Sequence, residues 1–309
     1  MRPAPIPVVI NRSGGTARRL GDDLERTVRE AFAARRLEID LHLVEGKDLG
    51  ETVGRFRRRS VVAVGGGDGT ISSAAAVLAG TDTALAVLPL GTLNHFAHQL
   101  GVPDSLEEAA AIAGGGHALR IDLARVGERI FINNASLGLY PAIVRQRDAS
   151  RLPKRLAQIP AAWRALRKGR GQWFELAIGE RREHIETPLL FVGNNRYDIA
   201  QGAAGVRDSL SDGLLSLVAV APRRPLALVG FGLRAALGRA DLARDFGEVI
   251  DVAKFELLGE GSIDVAHDGE VTRMDLPLRF EILPRALTVM AGDHAPNGRN
   301  VLVPRRTLA

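Results

Sequence analysis

Six consecutive residues, Gly65-Gly66-Gly67-Asp68-Gly69-Thr70, constrain this chain more than any other stretch. They follow a short buried-strand pattern, Val61-Val62-Ala63-Val64, and precede Ile71–Leu78, whose spacing predicts a helix. A glycine turn in that context brings successive backbone N–H groups and the positive end of a helix to one point, which suits phosphate. The stretch has no Walker A lysine. It also lacks the G-x-G-x-x-G spacing and downstream acid of a dinucleotide fold, so neither motif applies. Taken alone, it reads as an anion cradle or as a tight strand-to-helix turn. Asp68 is then a magnesium ligand, a proton acceptor or a helix cap.

The surroundings repeat this arrangement. Val8-Val9-Ile10 reads as a strand ending in Asn11-Arg12-Ser13-Gly14-Gly15-Thr16, and Ala84–Leu88 as a strand ending in Pro89-Leu90-Gly91-Thr92-Leu93-Asn94. Between them, residues 17–36 and 47–57 predict helices and Ile39–Val44 alternates as a strand. Leu93–Leu100 predicts a helix, and another over Leu106–Ala113 opens on a capping-box pattern at Asp104 and Glu107. Strands alternating with helices imply a parallel sheet, and open α/β sheets bind ligands at the carboxyl edge where these loops emerge.

From about residue 119 the texture changes to short strand-like runs separated by turns: Leu119–Val126, Ile130–Asn133, Phe174–Ile178, Leu189–Val192, Leu214–Val220, Phe255–Leu258, Ser262–Ala266 and Phe280–Leu283. Such a series implies an antiparallel layer. With 309 residues, at about 100–200 per domain, two domains are expected. Within the second, Leu152, Leu156, Ile159, Trp163 and Leu166 recur at helical spacing beside Arg151, Lys154, Arg155, Arg164, Arg167, Lys168 and Arg170. This segment reads as a domain-packing helix or as a basic amphipathic surface for anionic lipid.

Composition removes several classes of chemistry. There is no cysteine, so disulfides, thiolate metal sites and cysteine nucleophiles are excluded. No run approaches the roughly 18 apolar residues that span a bilayer, and MRPAPIPVVIN has no signal-peptide core, so a cytoplasmic protein is expected. The net charge of +5 favours phosphate-bearing partners without choosing among them. Nucleic acid is disfavoured, because the basic residues are dispersed and 5% aromatic content leaves few stacking platforms. His95 and His98 share a helix face but lack a third metal ligand. Asp268-Gly269-Glu270 and Asp212-Gly213 read first as hairpin turns, and Asn133-Asn134 and Asn194-Asn195 as turn caps.

Taken together, these segments resemble the diacylglycerol kinase-like lipid kinases, the family that includes sphingosine and ceramide kinases. The resemblance rests on Asn11 and its glycines, Gly66–Thr70, Pro89–Asn94, Asn134-Ala135-Ser136-Leu137-Gly138, Asp212-Gly213-Leu214 and Asp268-Gly269-Glu270. It implies an α/β plus β protein. A Rossmann-like nucleotide-binding domain covers 1–117, with 286–309 returning to it, and a β-sandwich-like lipid-substrate domain covers 118–285, with the nucleotide in the cleft between them. It further implies that ATP is held by Asn11, Arg12, Ser13, Gly14, Gly15, Gly66, Gly67, Asp68, Gly69, Thr70, Ile71, Ser72, Thr92 and Asn94. Glu270, supported by Asp268 and with Asp68 at the catalytic edge, would take the proton of a lipid hydroxyl such as that of diacylglycerol. Asp212, with Ser209 and Leu214, would hold a structural Mg²⁺. The partner is a membrane lipid, and 151–170 would give a cytoplasmic protein peripheral contact at the inner membrane face.

The chain departs from the family pattern at several positions. His95 follows Asn94 where the family has an acid, Arg12 replaces a proline, Gly14 a serine and Val44 a threonine. Two other readings stay open: an NAD kinase-like enzyme, which shares the Gly-Gly-Asp-Gly-Thr element, and a nucleotide- or lipid-binding regulator without turnover.

Overall fold

The computed structural model describes residues 4–138, 141, 172–197, 207, 209–220, 246–293, 295 and 306–307. The basic segment 151–170 lies outside the described residues. The chain divides into two compact units, residues 1–123 with 284–297, and residues 124–283 with 298–309.

The first unit contains β1 (Ile6–Asn11), α1 (Gly15–Leu20), α2 (Leu24–Ala34), β2 (Ile39–Val44), α3 (Leu49–Gly54), β3 (Val61–Gly66), α4 (Asp68–Leu78), β4 (Ala84–Pro89), α5 (His95–Gln99) and α6 (Leu106–Gly115). Its strands run parallel in the order β2-β1-β3-β4, followed by residues 288–289, which pair with Ala84 and Leu85. Val8, Val9, Val62, Val64, Leu85 and Leu88 are fully buried, as expected of parallel strands covered on both faces. From β1 the chain steps outward to β2, then returns across β1 to β3. The direction of winding therefore reverses between β1 and β3, the place where doubly wound sheets open a crevice for ligands. Right-handed crossovers put the helices of the two directions on opposite faces, and α2 packs with α6 while α3 packs with α4.

Local chemistry modifies several of the predicted helices. The one expected over 17–36 is broken by a 3₁₀ turn at Gly21–Asp23, where Gly21 takes a positive φ. The 47–57 helix shrinks to α3, preceded by a 3₁₀ turn at Gly46–Asp48. Ser105, rather than Asp104, caps α6 by accepting the Glu108 N–H at 3.4 Å. Asp104 instead meets His98 Nε2 at 3.0 Å.

The second unit holds two sheets. β5 (His117–Val126) enters it at residue 124 and turns back into β6 (Arg129–Phe131); β7 (Asn134–Gly138), β8 (Gln172–Ile178), β9 (Arg181–Thr187), β10 (Leu189–Asn194), β11 (Leu215–Val220), β12 (Phe246–Val252), β13 (Lys254–Leu258), β14 (Ser262–His267), β15 (Glu270–Asp275), β16 (Leu278–Ala291) and β17 (Arg306–Thr307) follow. One sheet places the first half of β16 beside β13, β8 and β9. The other has the order β15-β14-β7-β10-β11-β12-β17, antiparallel except for β17. Phe174, Leu176, Phe255 and Phe280 of the first sheet share one core with Leu137, Val192, Leu217, Val252 and Val265 of the second. Phe255 and Phe280 stack with centroids 4.6 Å apart. The short strand-like runs predicted the antiparallel pairing, and the two sheets sharing one core form the sandwich that the family resemblance implied.

Candidate functional site

In the first unit, three loops leave the carboxyl ends of β1, β3 and β4, and the chain ties them to one another. Asn11 Nδ2 donates to Thr70 Oγ1 at 3.1 Å, while Asn11 Oδ1 accepts from Ser13 N and Ser13 Oγ at 3.1 and 2.6 Å. The Thr16 N–H donates to the Leu90 carbonyl at 2.8 Å. Gly67 and Gly91 meet backbone to backbone: a Cβ on Gly91 would strike Gly67 Cα and Asn94 Oδ1, and one on Gly15 would strike the Leu90 carbonyl and Gly91 Cα. Glycine is required there because two main chains occupy the space a side chain would need.

Asp68 clamps the second loop to the third. Its carboxylate accepts the N–H groups of His95 at 3.4 Å and Phe96 at 3.1 Å, the first two residues of α5. It therefore acts as a cap, but for a helix 27 residues further on rather than its own. Asn94, in the left-handed region with φ 50°, shapes the third loop by accepting from Gly91 N at 2.9 Å and donating to the Pro89 carbonyl at 3.3 Å. Ile71 and Ser72 are buried in α4, and the Ile71 N–H is used by the Gly67 carbonyl. Thr92 is exposed, as are Arg12, which pairs with Glu45 at 3.0 Å, and His95.

The start of α4 supplies the electrostatics of this edge. Gly67 precedes it with no side-chain cap, so the first-turn N–H groups of Asp68, Gly69 and Thr70 lie at the positive end of an 11-residue helix without a side-chain acceptor. Nothing in the arrangement is covalent chemistry. It supplies dipoles and room for close backbone approach, which is what polyphosphate binding needs.

In the second unit, Asp268 and Gly269 form the two-residue turn between β14 and β15, both with positive φ (45° and 87°), and His267 pairs with Glu270 across it. The hairpin reading of Asp-Gly is thus correct, yet Asp268 also has a second role. Its carboxylate accepts three main-chain N–H groups, Ile132 at 2.8 Å, Asn133 at 2.9 Å and Asn134 at 3.3 Å. Its own N–H donates to the Asn134 carbonyl at 3.0 Å. So many donors stabilise the ionised carboxylate, leaving it an anchor. Glu270, two residues on, is exposed and available as a base. The neighbouring His267 is buried, which pushes its imidazole below the ordinary histidine range against the opposing pull of Asp268 and Glu270; its Nε2 lies 3.1 Å from Thr272 Oγ1.

At the turn 212–214, Asn195 holds both ends: its Oδ1 accepts from Asp212 N at 2.8 Å and its N–H donates to the Leu214 carbonyl at 2.9 Å. Ser209 Oγ accepts from Ser211 N at 3.1 Å. Asn194 and Asn195 are fully buried, and Asn195 caps the 212–214 turn from inside the unit, in keeping with the turn-cap reading of this pair. Sequence reasoning also passed over Arg207 and Tyr197, both buried against the segment that Asp268 grips. Their partners in that segment lie 64 to 75 residues away, and the sequence signal is a charge or a phenol amid small residues.

Comparison with known proteins bears on each part differently. The diacylglycerol kinase catalytic domain family model matches residues 5–126. Proteins described as probable lipid kinase YegS, from Salmonella newport and Salmonella arizonae, are 41% identical over 122 residues, 36% of this chain and 41% of theirs. The match thus spans about two fifths of the length of these relatives. Among solved structures, a diacylglycerol kinase from Bacillus anthracis has a TM-score of 0.66 at 19% identity, covering 96% of this chain and 99% of that one. An NAD kinase from Archaeoglobus fulgidus in complex with ATP has a TM-score of 0.54 at 15% identity, covering 94% and 95%. At those identities the structures establish a shared fold. The segment that carries all three glycine loops, residues 5–126, is the part of the chain that matches the diacylglycerol kinase catalytic domain family model.

Proposed function

We propose that the chain is an ATP-dependent lipid kinase, transferring the γ-phosphoryl group of ATP to the hydroxyl of a membrane lipid such as diacylglycerol. The observation that carries this reading is the convergence of three loops, locked glycine to glycine, at the winding reversal of a parallel sheet, beside the uncapped start of α4. Phosphoryl transfer asks the protein for positioning and charge neutralisation more than for covalent chemistry, and this edge supplies both. The names of the relatives of residues 5–126 favour a lipid acceptor.

In the proposed step, the lipid hydroxyl oxygen bonds to the γ-phosphorus as the bond to the β–γ bridging oxygen breaks, and ADP leaves with that electron pair. Glu270 takes the hydroxyl proton. Asp268 stays ionised on its three N–H donors and fixes the turn from which Glu270 projects. Gly67, Gly69 and Thr70 present main-chain N–H groups to the phosphates, with Asn11 keeping Thr70 in place. Asp212 with the oxygens of Ser209 and Leu214 would hold Mg²⁺. Oxygen donors suit that hard cation, and the turn is already held at both ends by Asn195. Bound there, the ion would add positive charge and rigidity to the second unit.

The test is incubation of the protein with γ-labelled ATP, Mg²⁺ and mixed micelles of diacylglycerol, monoacylglycerol, sphingosine or ceramide, with NAD as a control. Label is expected in one lipid class and is expected to fall by at least about a hundredfold in Glu270→Gln, the size typical of losing a general base. Label in NADP would transfer the chain to the NAD kinase reading. ATP binding with no transfer to any acceptor would favour a regulator, with His95 in place of an acid as its structural basis.

A further inference from the structure

Asp268 does not hold the 131–134 segment alone. The same peptide groups are gripped on their carbonyl side. Arg207 is 2% exposed, and its Nη1 donates to the Ile132 carbonyl at 2.7 Å and to the Asn194 carbonyl at 3.1 Å, with Nη2 at 3.3 Å from Asn133 Oδ1. Asn194 Nδ2 adds a second donor to the Ile132 carbonyl at 2.9 Å. Tyr197 Oη donates to the Asn133 carbonyl at 2.8 Å.

The pairing is by peptide unit. The Ile132 carbonyl and the Asn133 N–H belong to one amide plane, which thus has the Arg207 guanidinium on its oxygen and the Asp268 carboxylate on its nitrogen. The Asn133 carbonyl and the Asn134 N–H form the next plane, with Tyr197 on one end and Asp268 on the other. A donor at the oxygen polarises an amide and strengthens its N–H as a donor, so the two links reinforce each other. Burial pushes the Tyr197 phenol above its ordinary range, against the pull of the Arg207 charge, so it remains an O–H donor at neutral pH. The guanidinium carbon lies 5.7 Å from the Tyr197 ring centroid, adding a cation–π contact.

We propose that Arg207 and Tyr197 are positioning residues for Glu270, acting through the two amide planes of Ile132–Asn134 onto Asp268 and the Asp268-Gly269 turn. This inference rests on the kinase reading, since it assumes that Glu270 is the base. It places a buried cation and a phenol in the machinery without giving either a contact to substrate. A buried charge is costly unless its hydrogen bonds are satisfied, and Arg207 meets that cost with main-chain carbonyls on two strand ends.

The test compares Arg207→Met, Arg207→Lys and Tyr197→Phe in lipid-labelling kinetics. Arg207→Met is expected to lower kcat by about ten- to a hundredfold, the scale of a misplaced catalytic group, while KM for ATP stays within about twofold. Arg207→Lys should recover part of the loss, because it restores a charged donor without the two-nitrogen fork. Tyr197→Phe should lower kcat in the same direction and by less. Because Arg207 is two residues from Ser209, half-saturating Mg²⁺ is measured alongside and should not move. A rise in it would assign Arg207 to the metal turn and overturn the proposal. Should Arg207→Met not fold, Arg207→Lys and Tyr197→Phe decide: wild-type kcat in both overturns the proposal. Full activity in Glu270→Gln would refute the base assignment, whereas an inert Glu270→Gln beside fully active Arg207 and Tyr197 variants would refute only the positioning role.

Discussion

Several residues in this chain do two things, and their second use is set by a partner distant in sequence. Asp68 belongs to the glycine turn and caps α5; Asp268 makes a hairpin and anchors three main-chain N–H groups. His267 shows the energetic side of such placement. Its imidazole is held below the ordinary histidine value, mainly by burial, so the unfolded chain binds the proton more readily than the folded one. Its contribution to stability is therefore complete above the unfolded value of about 6.5 and is lost as the pH falls below it toward the folded value. His267→Gln keeps a partner for Thr272 while removing the titration. Thermal unfolding at pH 7.5 and 5.5 should show a smaller drop for the variant than for the wild type, and equal drops would contradict the assignment.

At the scale of elements, legibility followed burial. The strands β1, β3 and β4 announce themselves as uninterrupted apolar runs because both faces of a parallel strand are covered, and the glycine loops after them are visible for the same reason. The strands β9 and β15 were missed. Their sequences, RREHIET and EVTRMD, carry four charged residues in seven and three in six, and are strands because a hairpin partner pairs with them. β7 was hidden behind Asn133-Asn134, which reads as a turn until the Asp268, Arg207 and Tyr197 bonds are known. The contact between the Asp68 loop and α5 is likewise invisible from spacing alone. It makes a direct prediction: Asp68→Ala removes the acceptor of two N–H groups and should speed hydrogen exchange at the His95 and Phe96 amides, at a cost of about 1 kcal/mol in urea unfolding. Unchanged exchange at both amides would mean that the carboxylate is not their partner in solution.

At the scale of the whole molecule, the proposed lipid kinase would divide its work, the first unit holding the nucleotide by its main chain and the second supplying the base and its supports. Among the described residues, no helix is long and apolar enough to cross a membrane. The measurement that tests this division most directly is a calorimetric titration of ATP into Gly91→Ala and Glu270→Gln, each first checked for an intact fold. The new methyl at residue 91 would collide with Gly67 Cα and Asn94 Oδ1 and force the loops apart, so affinity should fall at least about tenfold, equivalent to about 1.4 kcal/mol. Glu270→Gln should bind ATP within about twofold of the wild type, because the base lies outside the phosphate cradle in this account. Wild-type affinity in a folded Gly91→Ala protein would contradict the central claim that the glycine-packed loops are the nucleotide site.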